Sequence, residues 1–269
     1  MFPYNDLVAA WRRVRADGLA SVREVACVGV PRTMLVAEVV GPPGAPTIAL
    51  AAGVHGDEPA GPWALLSIVR DGLLDRRFSY RIWPCTNPSG YVRETRENAE
   101  GHDINRSFHK GGTTPESRAI LTANRDRRFG LSLDLHEDFE AQGYYCYEPV
   151  ISGEAPFGDA LVSALDDAEF PVQELTDDFD LGYPPEAHHL RVLSRGRIRN
   201  DPDVEREFFD VTPYSIELLR RAARYALTIE SPRTQAWGDR IAMHRVAVTT
   251  LIASFAARAN RNLVDPTLS

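Results

Sequence analysis

The chain has 269 residues, of which 43% are hydrophobic and 25% are charged, and this composition is typical of a globular protein. Its length allows one large domain or two small ones, and either could bury a hydrophobic core. The formal net charge of −8 argues against a nucleic-acid-binding surface, because no basic face is evident that would neutralise phosphates. No apolar run reaches the ~18 residues that a membrane-spanning helix needs, so no membrane association is expected.

The N-terminus and the cysteines bear on where the protein works. Residues 1–18 lack a basic segment followed by an apolar one, so they do not resemble a signal peptide. Cys27, Cys85 and Cys146 share no close spacing, and we interpret them as small, buried apolar residues in a reducing compartment. The sequence therefore predicts a cytoplasmic protein, although a processed precursor could have lost a leader. It does not predict the oligomeric state.

Helices and strands alternate along the chain. Helical spacing of apolar residues predicts helices at residues 5–16, 59–71, 115–126, 157–167, 215–224 and 237–259. Short apolar or β-branched runs predict strands at residues 33–40, 47–53, 80–85, 130–136 and 225–231. The turn "GPPGAP" between the first two strands predicts a hairpin or another tight connection. The alternation indicates an α/β fold with a sheet sandwiched between helix layers.

Residues 176–213 interrupt this pattern with a polar, charged and proline-rich segment. It is too long for a routine connection, so it is either a functional excursion or partly mobile. It carries Tyr183 and the pair His188 and His189, for which a substrate-binding or second-metal role is an alternative to a surface position.

Polar side chains follow the predicted strands at their carboxyl ends, where folds of this kind build their sites. His55 and Glu58 lie in "HGDE" after one strand, and His136 and Glu230 end two others. Catalytic zinc sites use three His, Asp or Glu ligands and leave a position for water. His55, Glu58 and His136 are therefore candidate zinc ligands, although two unrelated histidines at strand ends would give the same spacing. Glu137 falls on the opposite side of its strand and is not expected to reach the metal.

Residues 84–108 read "PCTNPSGYVRETRENAEGHDINRSF", and here the chain resembles the zinc carboxypeptidases of the carboxypeptidase A type. The pattern Asn-Pro-(Asp)-Gly, Arg-x-Asn and Gly-x-Asp-x-Asn-Arg-x-Phe is carried by Asn87, Pro88, Gly90, Arg96, Asn98, Gly101, Asp103, Asn105, Arg106 and Phe108. With "HGDE", "DLH" and "LTIESP" in the same order, the resemblance covers roughly residues 47–232. It is strongest to the short bacterial members, which include murein-peptide amidases. It implies a single domain over residues 1–269 with a central mixed, twisted sheet between helices.

The resemblance also implies a role for each matching residue. One Zn²⁺ would be held by His55, Glu58 and His136. Arg96 would polarise the scissile carbonyl and stabilise the oxyanion, while Glu230 would be the general base that activates the attacking water. The terminal carboxylate of the substrate would be bound by Asn105 and Arg106. Physical chemistry agrees, since an arginine beside an asparagine suits a carboxylate and a carboxylate beside zinc can draw a proton from water.

The chain departs from the family pattern at two points. Ser89 replaces the usual aspartate after Asn-Pro. In the peptidases a tyrosine from a mobile loop closes over the substrate, and no motif identifies it here; Tyr183 and Tyr214 are the candidates. His102 and His109 match nothing in the pattern and are interpreted as surface residues.

Three functions are compatible with these residues. The first is a metallocarboxypeptidase or peptide amidase that acts on an amide bond beside a free carboxylate. The second is an N-acyl amino acid deacylase like succinylglutamate desuccinylase and aspartoacylase, a branch that shares the zinc set and tends to lack Asn-Pro-Asp-Gly. The third is a non-catalytic carboxylate-binding protein on the same fold. Intact metal ligands, Arg96 and Glu230 favour the two enzymes, whose substrate would be a small peptide or an acyl-amino acid.

Overall fold

The computed structural model describes residues 3–27, 33–149, 156–176, 192–200 and 213–264. The helices are α1 (Tyr4–Ala16), α2 (Ala60–Arg70), α3 (Pro88–Arg93), α4 (Pro115–Ala123), α5 (Gly158–Asp167), α6 (Tyr214–Arg221) and α7 (Trp237–Val264). The strands are β1 (Ser21–Val25), β2 (Met34–Val39), β3 (Thr47–Ala52), β4 (Ser79–Trp83), β5 (Phe129–Asp138), β6 (Tyr145–Pro149), β7 (Val192–Ser194), β8 (Arg197–Asn200) and β9 (Ala223–Pro232). Two short 3₁₀ turns, Ile104–Arg106 and His109–Gly111, follow α3.

The strands of this described part form one mixed sheet in the order β1-β2-β4-β3-β5-β9-β6-β8-β7. Its centre is four parallel strands, β4, β3, β5 and β9, which are apolar as strands covered on both faces must be. β2 pairs antiparallel with β4 on one side, and β6 pairs antiparallel with β9 on the other. The predicted fold, a mixed twisted sheet sandwiched between helices, is confirmed.

Alternation along β5 separates the two faces of the sheet. Leu131, Leu133 and Leu135 face the larger core, which is shared with α1, α2, α5 and α7. The intervening residues face the other side, where α4 and α6 cover a smaller core. Because Asp134 and His136 are among the intervening residues, the polar side chains of β5 are confined to the α4–α6 side.

The longest helix, α7, has 28 residues and lies on the larger core. Its buried residues Met243, Ala247, Leu251 and Phe255 recur every fourth position, so they form an apolar stripe that packs on the sheet. No helix in the described ranges is both long enough and apolar enough to cross a membrane.

Of the two connections predicted for "GPPGAP", the hairpin is wrong, whereas a short turn does join β2 to β3. β2 and β3 are not partners, because β4 lies between them in the sheet. The β3–α2–β4 crossover places β4 parallel beside β3, and the free edge of β4 then accepts β2. No sequence pattern predicted β7 and β8, which lie inside the expected excursion and extend the sheet edge beside β6. The rest of that segment, including Tyr183, His188 and His189, lies outside the described residues.

Candidate metal centre and active site

The candidate site lies where the carboxyl ends of β3, β5 and β9 meet at one edge of the sheet. β3 ends at Ala52, and the turn that follows presents His55 and Glu58 just before α2 begins. His136 lies near the end of β5 and is directly in register with Glu230 of β9. Parallel pairing of these strands therefore brings together side chains that are far apart in sequence.

A close backbone approach fixes the turn that carries His55. A Cβ atom on Gly56 would lie 1.9 Å from the carbonyl carbon of Gly90, so only glycine fits at this position. Asn87 is fully buried and binds both neighbouring segments: its Nδ2 donates to the carbonyl oxygens of Val54 and Arg96, each at 3.2 Å. The Asn-Pro-x-Gly element thus connects the "HGDE" turn to the loop that bears Arg96.

The three predicted metal ligands converge. The candidate ligand atoms of His55, Glu58 and His136 all lie within 4.8 Å of one another, and the three residues are 2–3% exposed. Glu58 lies between the rings, with Oε1 2.5 Å from Nδ1 of His55 and Oε2 3.0 Å from Nδ1 of His136. Among the described residues, His55, Glu58 and His136 form the one group of three or more His, Cys, Asp or Glu side chains close enough together to hold a metal ion.

Two further carboxylates face the outer nitrogens of these histidines. Asp103 Oδ1 lies 3.4 Å from His55 Nε2, and Asp134 Oδ2 lies 3.1 Å from His136 Nε2. Such carboxylates typically take the Nε2 proton of a ligating histidine and turn its other nitrogen toward the metal. Both Nδ1 lone pairs would then point at the Glu58 carboxylate, an arrangement of acceptors that a cation stabilises. The residues present therefore fit a metal ion.

Both aspartates lie within the sequence motifs of the site, but the motifs assigned neither of them a role. A signal for Asp134 was available, since it precedes His136 by two positions on the same face of β5. Asp103 could not be assigned in this way, because its contact with His55 depends on how the loop after α3 folds back.

The electrostatics of the group are dominated by burial and by these pairings. Burial alone would raise the pKa of Glu58, but His55 and then His136 outweigh it and hold the pKa well below its usual range. For His136 burial acts in the other direction and lowers the pKa. The Asp134 and Glu58 carboxylates outweigh burial, so the pKa of His136 is raised overall. The site therefore stabilises a negatively charged Glu58 beside a positively charged His136, although both side chains are buried.

Glu230 lies beside this group with a different protonation behaviour. It is 9% exposed, and burial is the main cause that raises the pKa of its carboxyl to about 8, with Glu58 and Asp138 adding to the effect. Its antiparallel neighbour on β6 is Tyr145, whose hydroxyl donates to Asp138 Oδ2 at 2.6 Å. A carboxyl with a pKa near neutrality is suited to accept and return a proton.

The predicted catalytic residue Arg96 and the predicted substrate-binding residues Asn105 and Arg106 lie after α3, on the loop and the 3₁₀ turn that follow it. Arg96 Nη1 is 3.3 Å from His55 Nδ1, and its Nη2 donates to Asp103 at 3.0 Å. Asn105 is buried in the 3₁₀ turn, and its Oδ1 accepts the backbone N–H of Tyr214 at 3.1 Å. Arg106 follows on the same turn and is solvent-exposed.

Tyr214 does not have the position expected of a closing tyrosine. It is 1% exposed and its ring packs on Phe108, with 5.1 Å between the ring centroids. A side chain enclosed in the smaller core cannot close over a substrate from solvent, so this expectation is corrected. Tyr183, the other candidate, lies outside the described residues.

Glu137 is turned away from the ligands, as alternation predicted. Its carboxylate accepts the backbone N–H of Ala60 at 2.8 Å and pairs with Arg240 at 2.5 Å. Its own backbone N–H donates to Glu58 Oε2 at 3.1 Å. Glu137 therefore holds the start of α2 and α7 against the site without reaching the metal position.

Known proteins are similar to this chain in sequence and in fold. Residues 44–172 match the family model of the succinylglutamate desuccinylase/aspartoacylase catalytic domain, a range that includes all three ligand candidates. The whole fold superposes on a presumed metallopeptidase of Shewanella amazonensis with a TM-score of 0.73 and 26% identity, covering 94% of this chain and 92% of that one. The chain therefore resembles zinc carboxypeptidase-like hydrolases, in sequence over part of its length and in fold over nearly all of it.

Two proteins named as carboxypeptidases are also similar to this chain. Carboxypeptidase SOL1 of Arabidopsis thaliana is 32% identical over 111 residues, which are 34% of this chain and only 23% of that protein's length. Carboxypeptidase A of Helicoverpa armigera has a TM-score of 0.65 at 15% identity, covering 96% of this chain and 73% of that one, which shows a common fold. The predicted resemblance to zinc carboxypeptidases is thus confirmed. The closer likeness to murein-peptide amidases stays a prediction.

Proposed function

We propose that the protein is a zinc-dependent hydrolase that cleaves an amide bond next to a free carboxylate, as a metallocarboxypeptidase or peptide amidase does. The observation that carries the proposal is the buried group of His55, Glu58 and His136 with Glu230 in register beside it. A cytoplasmic location and a single catalytic domain over residues 1–269 are parts of the same proposal.

Zinc is the metal that this donor set suits best. Two imidazole nitrogens and one carboxylate are a common ligand set of catalytic zinc and leave a coordination position open. When bound there, zinc would supply a Lewis acid and lower the pKa of water to near neutrality. Glu230 would accept the proton of the attacking water and deliver it to the leaving nitrogen.

Arg96, Asn105 and Arg106 would bind the negatively charged groups of the substrate and the transition state. Arg96, whose guanidinium lies beside His55, would donate to the carbonyl oxygen as negative charge develops on it. The Oδ1 of Asn105 is already used by the N–H of Tyr214, so its Nδ2 would be the donor to the substrate carboxylate. Arg106, exposed beside it, would bind the same carboxylate through its planar fork.

A second candidate is N-acyl amino acid deacylation, which uses the same metal set on a different acyl group. The observation that favours it is the family-model match to the succinylglutamate desuccinylase/aspartoacylase catalytic domain over residues 44–172. The retained Asn87, Pro88 and Gly90 element favours the peptidase. Both candidates place a free carboxylate on the leaving amino acid.

A substrate panel tests the proposal. The purified protein, with its metal content measured, is assayed on di- and tripeptides, a murein tripeptide, and N-acetyl and N-succinyl amino acids. Each substrate is paired with its C-terminal amide as a matched control. We expect about one zinc per chain and turnover of free-carboxylate substrates only.

The outcome separates the candidates from one another. Turnover of peptides supports the carboxypeptidase or amidase, and turnover of simple N-acyl amino acids alone supports the deacylase. A protein that binds zinc yet cleaves no member of the panel, or prefers the amides, contradicts the proposed function.

A further inference from the structure

A cluster of buried polar atoms lies behind His136, on the face of the sheet covered by α6. The side chains of Ser132, Asp134 and Tyr214 are each at most 2% exposed. Within the described part of the chain, Ser132 Oγ, Asp134 Oδ1 and Tyr214 Oη make no hydrogen bond of normal geometry, although the Tyr214 hydroxyl lies near enough to the Ser132 side chain to interact with it. Buried polar atoms without partners are rare in native proteins, so three on one face require an explanation.

The register of the strands shows that these atoms share one space. Ser132 pairs with Ala49 and Asp134 pairs with Ala51, so the four side chains point to the same face of adjacent parallel strands. Ala49 and Ala51 have small side chains, and both pack with Tyr214 in the smaller core. Burial raises the pKa of the Tyr214 phenol and the nearby Asp134 carboxylate raises it further, while Arg81 and the Ser132 side chain oppose the shift.

We propose that Tyr214 and Ser132 hold an ordered water against Asp134 Oδ1, and that this relay fixes His136 with Nδ1 toward the metal position. The water would accept from one hydroxyl and donate to the carboxylate, and two to four such contacts are what a buried water makes. Asp134 Oδ2 then remains committed to His136 Nε2, 3.1 Å away. The relay rests on the proposed metal site, and it makes Tyr214 a positioning residue.

Tyr214 is suited to this role because it touches two parts of the site through different groups. Its backbone N–H donates to Asn105 Oδ1, and its phenol lies close enough to Asp134 to interact with that carboxylate electrostatically. Removing only the hydroxyl should therefore disturb the histidine and leave the Asn105 contact in place. If Tyr214 instead closed over the substrate, removing the hydroxyl would change KM and leave the histidine undisturbed.

The experiment is the substitution Tyr214→Phe, read by zinc affinity in competition with a fluorescent chelator, without substrate. We expect the dissociation constant for zinc to rise several-fold, and Asp134→Asn to raise it by ~10–100-fold, the range for partners of metal-ligating histidines. The double variant should match Asp134→Asn alone, since Tyr214 acts through Asp134. KM for substrates with a free carboxylate should change little in Tyr214→Phe.

Tyr80→Phe is the matched control, because Tyr80 is also 1% exposed but donates to the Asp75 carbonyl on the other face of the sheet. A second measurement needs no metal: solvent exchange of the His136 Nε2 proton, followed by NMR in the metal-free protein. It should be slow in wild type and in Tyr80→Phe and faster in Tyr214→Phe.

Zinc affinity and proton exchange that are alike in Tyr214→Phe and Tyr80→Phe would overturn the relay, as would a changed KM at unchanged zinc affinity. Because neither zinc affinity nor proton exchange depends on turnover, both still test the relay if the protein cleaves nothing on the substrate panel. If the wild-type chain binds no zinc, the exchange measurement alone decides.

Discussion

At the scale of single residues, Glu230 combines burial with a position beside two other carboxylates. Its pKa of about 8 follows mainly from burial, and a bound cation would oppose that shift. This setting is typical of a catalytic carboxyl, whose protonation must change during turnover. The same burial would be costly for a residue with no function, since an unpaired buried charge destabilises the fold.

The substitution Glu230→Gln is therefore expected to abolish turnover while keeping the metal. A glutamine has nearly the same shape but cannot accept the proton, and loss of a general base typically lowers kcat by ~10²–10⁴-fold. Steady-state kinetics with metal content measured on the same sample provide the check. Glu148→Gln is the control, because Glu148 is equally buried but binds the N–H groups of Phe157 and Gly158. Full activity in Glu230→Gln would contradict the mechanism.

Arg106 gives a prediction about substrate binding. Because its side chain is exposed beside Asn105, Arg106→Ala should raise KM for substrates with a free carboxylate and leave kcat nearly unchanged. An ion-paired hydrogen bond is worth about 1.5–3 kcal/mol, so KM should rise ~10–100-fold. Arg128→Ala, another exposed arginine that lies before β5, is the control. An equal effect on amidated substrates would argue against the carboxylate role.

At the scale of elements, the site depends on how closely two turns approach each other. The turn after β3 and the start of α3 are in contact at Gly56 and Gly90, and Asn87 binds both. A motif that has the sequence of an ordinary turn therefore connects the candidate metal ligands to the Arg96 loop.

We expect Gly56→Ala to destabilise the protein by at least about 3 kcal/mol, because its Cβ would overlap backbone atoms of Gly90 that cannot move cheaply. Metal affinity should fall with it. Gly238→Ala is the matched control: a Cβ there meets nothing within 4 Å, and alanine favours the helix. Chemical denaturation of both variants measures the difference. Equal stability of the two variants would show that the turns are not tightly joined.

At the scale of the whole molecule, a buried histidine links α7 to the residue that precedes β6 and makes stability depend on pH. His244 is fully buried and lies 2.8 Å from the Tyr144 hydroxyl. Burial, assisted by the charge of His136, lowers its pKa from the ordinary 6.5 to about 3. Because the folded state disfavours the charged form, its contribution to stability is complete above pH 6.5 and is lost as the pH falls toward 3.

The wild-type protein should therefore lose about 2 kcal/mol of stability between pH 6.5 and pH 5 from this group alone. His244→Gln should lack that loss, so the free energies of unfolding of the two proteins should converge as the pH falls. Urea unfolding at several pH values, with a chelator present, measures this. A constant difference between the two proteins across that range would exclude His244 as the source.

The sequence predicted the helices and the fold class well, but it did not predict which strands pair with each other. Helices such as α1, α2 and α5 were found within a residue or so, because their apolar spacing reflects burial on one face. The order of strands was not predictable from such local patterns. β4 separates β2 from β3 because of a crossover, and no residue in the turn between them signals this.

The amino-acid sequence by itself identified the residues of the candidate site. His55, Glu58, His136, Arg96 and Glu230 could be named because metal and proton chemistry restrict the side chains that can serve, and their order is preserved along the chain. Only the tertiary structure decided which groups stand behind them. Asp134 is a near neighbour of His136 on β5, but Asp103 and Tyr214 come near the site only through a folded loop and across the sheet, and such contacts depend on packing rather than on neighbours in sequence.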